Sequence, residues 1–370
     1  MLKHEIKLRV GKANNIAVPI GSGIDSAVIL AIAKQVFPKK NIFGISLGFC
    51  DSQDETTDAR RICDALDTEC YTIAIENVLK DLPSQIYIVG EPRWNLWYYY
   101  VLKHAKKYRA EIMLTGDGGD EIFAGYVFRY SKYLSLMKDD DEPTISFPRQ
   151  DTKWIRKAWS YLQCHDRDWV PDQKRIFGSK MSSTFDWYTI LRYFRPYFDN
   201  NIDQELNQVL LADYNGKLLY DWIPTNSKLS NYFRIKSLSP FLTESITEYV
   251  PHVPVEQKYN PENQEGKLIL REVLRRHGIS QLIAKNKQGF GMDLVYLWEK
   301  HGKGIAQRYL ADAKICQRQI IDKAWIIQTM ENPRIDKDPR YINKVLQLVS
   351  LEIWYRIFVK KEAVKNIHVN

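Results

Sequence analysis

The segments Gly21-Ser-Gly-Ile-Asp-Ser26 and Leu114-Thr-Gly-Asp-Gly-Gly-Asp-Glu-Ile-Phe-Ala-Gly-Tyr126 decide the fold of this 370-residue chain. Each follows a short β-branched or apolar run and precedes a stretch with helical periodicity. Each is therefore predicted to be a loop at the carboxyl end of a parallel strand, where open α/β sheets bind ligands. The pair favours an α/β fold with a ligand site at one edge of its sheet.

Strand and helix patterns alternate through the first third of the chain. Strands are predicted over residues 15–20, 41–49, 70–75 and 111–114, with helical patterns before and between them. Such alternation is typical of βαβ units and a parallel sheet. From about residue 130 onward the periodicity is helical. We therefore expect an α/β nucleotide-binding core over residues 1–130 and a mainly helical region over residues 131–370, in one domain.

The composition is that of an ordinary globular protein, with 45% hydrophobic and 26% charged residues. No apolar run approaches the roughly 20 residues that a membrane helix needs, and the N-terminus has no signal-peptide pattern. We therefore expect a cytoplasmic protein without a membrane partner. The net charge is 53 − 45 = +8. Because basic and acidic residues are interspersed, a solvated surface is favoured over a nucleic-acid site.

The cysteines do not form a recognisable framework. The five positions contain no CxxC pair and no His spacing typical of a metal site: Cys50, Cys63, Cys70, Cys164 and Cys316. We therefore expect neither a disulfide scaffold nor a zinc site in so long a chain. We interpret these side chains as small, mostly buried hydrophobes.

The first loop has the residues that bind phosphate. Gly21 and Gly23 allow the backbone to approach phosphate oxygens, and the loop opens a helix whose N–H groups face an anion. Ser22 and Ser26 can donate hydroxyl hydrogen bonds. Asp25 can bind Mg²⁺ at the helix start, or it can simply cap that helix.

The second loop concentrates carboxylates. Asp117, Asp120 and Glu121 lie within one short turn, and they repel one another unless a cation or hydrogen-bond donors compensate. Carboxylates of this kind can hold the Mg²⁺ that accompanies a polyphosphate. For Glu121 we favour a helix N-terminal carboxylate stabilised by the helix dipole.

Together these loops resemble those of the asparagine synthetase family, whose synthetase domain carries a pyrophosphate loop SGGxDS and a later segment SGDGADExFGGY. Four further segments are also similar. Residues 51–55 resemble the family's acidic segment after its second strand, and residues 266–271 resemble GKxxLR. Residues 287–291 resemble KQGFG, and residues 351–358 resemble the closing LExWxRxF helix. The resemblance spans nearly the whole chain. It implies a PP-loop ATP pyrophosphatase core, similar to adenine-nucleotide α-hydrolases, with a helical C-terminal region.

The resemblance also implies roles for individual residues. ATP would be bound by the residues of the first loop and by the main chain around the adenine: Ile20, Gly21, Ser22, Gly23, Asp25, Ser26, Leu47 and Gly116. Asp25 and Asp120 would hold Mg²⁺ on the departing pyrophosphate.

Two catalytic residues are implied as well. Asp117 takes the family's acidic position beside the reacting centre; related β-lactam-forming synthetases typically have tyrosine there, so Asp117 favours intermolecular amide formation. Lys287 would return from the helical region to stabilise charge on the α-phosphate and the tetrahedral centre. Lys267 and Arg271 share one helical face, and could either support phosphates or be solvated.

The chain departs from the family at several positions. The family's Ser-Gly-Gly is Gly21-Ser22-Gly23 here, which displaces one hydroxyl by a residue. In the family's ExRxPFLD segment the arginine is Leu238 and the last aspartate is Thr243. Arg93, in an aromatic segment, could clamp a carboxylate or stack among its neighbours. The motifs therefore define the residues that would bind the acceptor less completely than those that would bind the nucleotide.

The expected function is an ATP-dependent synthetase that adenylates a carboxylate, with aspartate as the leading case, and releases AMP and pyrophosphate. Glutamine-using family members have an N-terminal glutaminase domain with a cysteine after the initiator methionine, whereas Leu2 stands here. We therefore expect no glutaminase domain, and ammonia that is free or supplied by a separate glutaminase subunit. The alternatives are a related ligase on another carboxylate, a tRNA-modifying adenylating enzyme and an inactive nucleotide-binding regulatory module.

Overall fold

A parallel sheet forms the centre of the computed structural model, which describes residues 1–49, 55–138, 152–165, 170, 172–202, 204–283, 292–332 and 335–367. Within these residues the sheet has five strands in the order β3-β2-β1-β4-β5, and all neighbours are parallel. The strands are β1 Asn15–Pro19, β2 Asn41–Gly48, β3 Glu69–Ala74, β4 Ile112–Leu114 and β5 Lys236–Leu238. A short antiparallel pair, β6 Tyr259–Asn260 and β7 Glu265–Gly266, lies outside this sheet.

Helices surround the sheet and make up most of the second half of the chain. In the first half they are α1 Leu2–Val10, α2 Ile24–Val36, α3 Thr56–Ala65, α4 Leu82–Val89, α5 Tyr98–Lys107, α6 Gly119–Ile122, α7 Val127–Lys138 and α8 Thr152–Gln163. They continue with α9 Ser179–Ser182, α10 Trp187–Arg192, α11 Arg195–Phe198, α12 Glu205–Ala212, α13 Ile223–Phe233, α14 Glu244–Tyr249 and α15 Leu268–Arg276. The last are α16 Leu294–Leu297, α17 Lys303–Leu310, α18 Lys323–Glu331 and α19 Pro339–Trp354.

Several helices are extended by π-helical segments, which are rare and often lie at functional sites. They are Asp213–Trp222, Trp298–Gly302 and Tyr355–Val359. Short 3₁₀ turns connect other elements: Gln173–Ile176, Pro240–Leu242, Val250–His252, Val255–Gln257, Ser280–Leu282, Cys316–Arg318, Ile335–Lys337 and Val364–Asn366. No helix among the described residues is both long and apolar enough to cross a membrane.

Both faces of the sheet are covered, as parallel sheets require. Side chains alternate along β1, so Ile16 and Val18 pack with α1, α2 and α15 on one face while Ala17 joins the core of the other face. The second face is covered by α4, α5 and α19. A third apolar cluster, which includes Tyr130 and Trp154, joins α7, α8 and α12 beside the sheet.

The predicted α/β fold is confirmed, and the four predicted strands form within a residue or two of their expected bounds. The fifth strand lies in the region that was predicted to be helical, where Lys236–Leu238 pairs with β4 through the register Ile112↔Lys236. The sheet therefore takes its edge strand β5 from the mainly helical region, beyond the expected core of residues 1–130. A three-residue strand is too short to show a period of its own.

A lysine is buried within the helical region. Lys258 has no exposed surface, and its Nζ donates to Asn207 Oδ1 and to the Val250 carbonyl oxygen, both at 2.8 Å. Burial lowers the pKa of Lys258 to about 8, because the charged ammonium is separated from water. These bonds tie α12 to the turn Val250–His252.

This lysine predicts a rise of stability at alkaline pH. Below about pH 8 Lys258 is protonated in the folded and unfolded states, so the cost of burying its charge is fully present. Between about pH 8 and 10.5 only the unfolded state keeps the proton, so the folded state gains roughly 3 kcal/mol as pH rises.

Urea unfolding across this range measures the effect as the difference between the wild type and Lys258→Met. As pH rises, the free energy of unfolding of the wild type should increase relative to that of Lys258→Met. Lys153→Met, at an exposed position of α8, is the control and should give a pH-independent difference. Parallel stability profiles for wild type and Lys258→Met would contradict the assignment.

Candidate functional site

A cavity of about 480 Å³ opens at the carboxyl ends of β1, β2 and β4. Both loops quoted at the outset contribute to its wall. Of the residues expected to bind nucleotide or metal, those lining the cavity are Ile20, Gly21, Asp25, Ser26, Leu47, Gly116 and Asp120; the expected catalytic residue Asp117 lines it as well. Ser22 is buried in the same turn, next to Gly23.

The two loops touch each other directly. Residues 20–23 connect β1 to α2, and the Ser26 hydroxyl donates to the Gly23 carbonyl oxygen at 3.2 Å. A Cβ atom on Gly116 would lie 2.8 Å from Asp25 Cβ and 3.1 Å from the backbone nitrogen of Ser26. A glycine at position 116 therefore allows the second loop to pack against the start of α2.

A buried lysine joins the acidic residues of the two loops. Lys267 Nζ lies 2.6 Å from Asp25 Oδ2 and 2.6 Å from Asp120 Oδ1. Only 5% of Lys267 is exposed. Burial alone would lower its pKa, but the two carboxylates outweigh that effect and raise the pKa above its ordinary value. The carboxylates of Asp25 and Asp120 therefore both contact one ammonium group.

This arrangement fits a magnesium ion that also binds phosphate. Mg²⁺ prefers oxygen ligands, and in nucleotide sites it usually takes one or two carboxylates with phosphate and water oxygens. The described residues contain no group of three or more His, Cys, Asp or Glu side chains that could hold a metal. Asp25 and Asp120 could therefore supply two ligands, with the others coming from phosphate or water.

Asp117 is held by neutral donors on one side of the cavity. The Thr115 hydroxyl donates to Asp117 Oδ2 at 2.7 Å, the Trp222 indole N–H to Oδ1 at 3.3 Å, and the Ser239 hydroxyl to Oδ2 at 3.4 Å. Removal from water raises the pKa of Asp117, although these hydrogen bonds oppose the rise. Its carboxylate is therefore a stronger base than an ordinary aspartate.

Glu121 lies in the first turn of α6, in agreement with the favoured interpretation, and it also lines the cavity. The Tyr126 hydroxyl donates to Glu121 Oε1 at 2.6 Å. Burial, assisted by the neighbouring Asp120, raises the pKa of Glu121 to about 7.

Arg93 lines the cavity, but its guanidinium is already paired. It forms ion pairs with Glu91, at 3.5 Å, and with Asp221. Lys228 Nζ lies 2.6 Å from the other oxygen of Glu91. Neither sequence interpretation of Arg93 included these ion pairs. Glu91 lies two residues before Arg93, whereas Asp221 lies more than 120 residues further along the chain.

A further wall of the cavity was missed by the sequence analysis. The π-helical segment Asp213–Trp222 presents Lys217, Leu218, Asp221 and Trp222 to the cavity. Their spacing of four to five residues suits the wider turn of a π-helix. No motif marks this segment, and its contact with Asp117 arises only through the fold.

Other expected residues do not join the site or cannot be located. Lys287 lies outside the described residues. Arg271 turns away, since its Nε donates to the Gly266 carbonyl oxygen and pairs with Glu265. Leu238 is buried in β5, and the Thr243 hydroxyl donates to the Pro240 carbonyl oxygen.

The family model described as asparagine synthase matches residues 1–356. The chain belongs to the asparagine synthase family. It is 24% identical over 378 residues to asparagine synthetase (glutamine-hydrolyzing) 1 of Bacillus subtilis, which covers 93% of this chain and 57% of that protein. It is 20% identical over 373 residues to a provisionally named asparagine synthetase (glutamine-hydrolyzing) of Mycobacterium tuberculosis, covering 94% of this chain and 55% of that protein. The chain thus spans little more than half the length of these family relatives.

The ion pairs of Lys267 generate a stability prediction. Lys267→Met leaves two carboxylates close together without their cation, so we expect a loss of roughly 3–5 kcal/mol in the free energy of unfolding. Chemical denaturation measures this loss. Added Mg²⁺ should recover part of it, because Asp25 and Asp120 can then share the metal ion.

Lys303→Met is the matched control, since Lys303 pairs with Asp336 at 2.8 Å but its side chain is 43% exposed. Its loss should stay below about 1 kcal/mol and should not respond to Mg²⁺. Equal losses in the two variants would refute a special contribution from the Asp25–Lys267–Asp120 cluster.

Proposed function

We propose that this chain is an ATP-dependent amide-forming synthetase. A carboxylate oxygen of the acceptor attacks the α-phosphorus of ATP, the bond to the bridging oxygen breaks, and pyrophosphate leaves. Ammonia then attacks the carbonyl carbon of the acyl-adenylate and AMP departs, which leaves an amide. Aspartate is the leading acceptor, with asparagine as the product.

The convergence of Asp25 and Asp120 beside the loop at residues 20–23 carries this proposal. The loop precedes α2, whose N-terminal amide groups and dipole favour a phosphate. The contacts of the Lys267 ammonium group with both carboxylates support their joint binding of a cation. When bound there, Mg²⁺ would neutralise the leaving pyrophosphate.

Asp117 is proposed to take the proton that the attacking ammonia loses. Its carboxylate faces the cavity and has a raised pKa because it is removed from water. A base is most effective when its pKa approaches the operating pH. Lys287 is proposed, from its motif alone, to stabilise charge on the α-phosphate and the tetrahedral centre.

A related ligase on another carboxylate is the second candidate. The guanidinium of Arg93 is paired with Glu91 and Asp221, so it offers no free clamp for an acceptor carboxylate in this arrangement. Leu238 and Thr243 also differ from the family's acceptor segment. These differences favour an acceptor whose recognition does not depend on those positions.

Pyrophosphate release, screened against aspartate, other carboxylates and tRNA, tests the function. With a competent acceptor, Asp120→Asn should reduce turnover about a hundredfold, since the variant weakens charge stabilisation of the leaving group. The fold should be retained, because asparagine keeps the size of the side chain.

Asp312→Asn, at an exposed aspartate that pairs with Lys314, is the control and should keep full turnover. Unchanged turnover of Asp120→Asn at saturating Mg²⁺ would remove Asp120 from the metal site. Release with tRNA alone would favour a tRNA-modifying enzyme, and ATP binding without any release would favour a regulatory module.

Ammonia is the proposed nitrogen source, whether free or delivered by a separate glutaminase subunit. The described cysteines are Cys63, Cys70, Cys164 and Cys316, and none of them lines the cavity. The purified chain should therefore form amide and AMP with ammonium salts but not with glutamine. The rate should rise as pH approaches the pKa of ammonium, because the NH₃ fraction grows. Glutamate release from glutamine would overturn this prediction.

A further inference from the structure

A carboxylate lies directly on the phosphate-binding loop. Glu55 immediately precedes α3, and its Oε2 accepts a hydrogen bond from the backbone N–H of Ser22 at 3.2 Å. Glu55 also lines the cavity. A Cβ atom on Gly21 would lie 2.5 Å from the same Glu55 oxygen, so the carboxylate fills the space beside that glycine.

This position matters because amide groups of such loops are the donors that bind phosphate oxygens. A carboxylate and a phosphate are both anionic acceptors, so they cannot share one amide without mutual repulsion. Among the described residues, no lysine or arginine pairs with Glu55 and no cluster of three acidic residues could recruit a metal to it. Within the described residues, the charge of Glu55 is therefore not neutralised by a direct ion pair, and it repels an incoming phosphate.

We propose that Glu55 is a positioning residue that sets nucleotide affinity by holding the Ser22 amide until the phosphates of ATP displace it. The inference rests on the proposed ATP site. In this structure Glu55 supplies the anionic acceptor for the Ser22 amide. The consequence is weaker ATP binding, since part of the binding energy is used to move the carboxylate away.

Two substitutions relieve the repulsion between Glu55 and phosphate by different routes. Glu55→Gln keeps the shape of the side chain and its acceptor oxygen but removes the charge that repels phosphate. Gly21→Ser leaves the charge intact, but its Cβ forces away the end of the flexible Glu55 side chain. Both routes free the loop for ATP.

The experiment is a calorimetric titration of ATP with Mg²⁺ into the wild type, the two single variants and the double variant. Each single variant should lower the Kd about three- to tenfold, the range expected for a charge-assisted contact. The double variant should bind no tighter than the better single variant, because both changes relieve the same repulsion. In turnover assays KM for ATP should fall while kcat changes less.

Asp58→Asn is the matched control. Asp58 lies in the first turn of α3, pairs with Arg61 and does not line the cavity, so its removal tests the charge of the helix terminus alone. This variant should leave the Kd unchanged. A higher or unchanged Kd in Glu55→Gln, or fully additive gains in the double variant, would overturn the role of Glu55.

The two proposals fail in different ways. If the wild type does not bind ATP in the presence of Mg²⁺, the proposed ATP site itself is wrong. If ATP binding is weakened by Asp120→Asn but not strengthened by Glu55→Gln, only the inference about Glu55 is wrong. Thermal unfolding of each variant confirms that the fold is intact.

Discussion

The ammonium group of Lys267, held between Asp25 and Asp120, fixes the arrangement of three distant parts of the chain. These are the start of α2, the loop after β4 and the turn between β7 and α15. The backbone of Lys267 adds a further tie, since its N–H donates to the Phe123 carbonyl oxygen at 2.9 Å. Moving any one part would leave a charge unpaired in a mostly buried position, which is far costlier than losing an exposed ion pair.

The other carboxylates around the cavity are stabilised mainly by hydrogen bonds from neutral donors. Asp117 receives three hydrogen bonds from Thr115, Trp222 and Ser239, Glu121 receives one from Tyr126, and Glu55 accepts a backbone amide. The acidic residues lining the cavity outnumber the basic ones, which among the described residues are Arg93 and Lys217. Such a cavity repels a bare polyphosphate. Its chemistry therefore favours a nucleotide that arrives with a divalent cation.

Local patterns were sufficient to predict the core of the fold and the two loops that meet at the cavity. Gly21 and Asp25 lie within one short segment, and Gly116 and Asp120 lie within another. The expectation that both segments follow parallel strands is what placed them at the same edge of the sheet. The sequence left the role of Lys267 open between supporting phosphates and being solvated, because only packing against α2 buries this side chain beside Asp25. The same holds for β5, whose three residues form a strand because β4 is beside them.

The acceptor end of the cavity depends on contacts that have no sequence signature. Two adjacent residues of one π-helical segment contact different parts of the cavity. The Trp222 indole donates to Asp117 at the proposed reacting centre, and Asp221 pairs with Arg93 in the cavity wall. A change in the wall that shifts this segment therefore also moves a hydrogen bond of Asp117. These two neighbouring residues therefore link the position of the cavity wall at Arg93 to the hydrogen bonding, and so to the basicity, of Asp117.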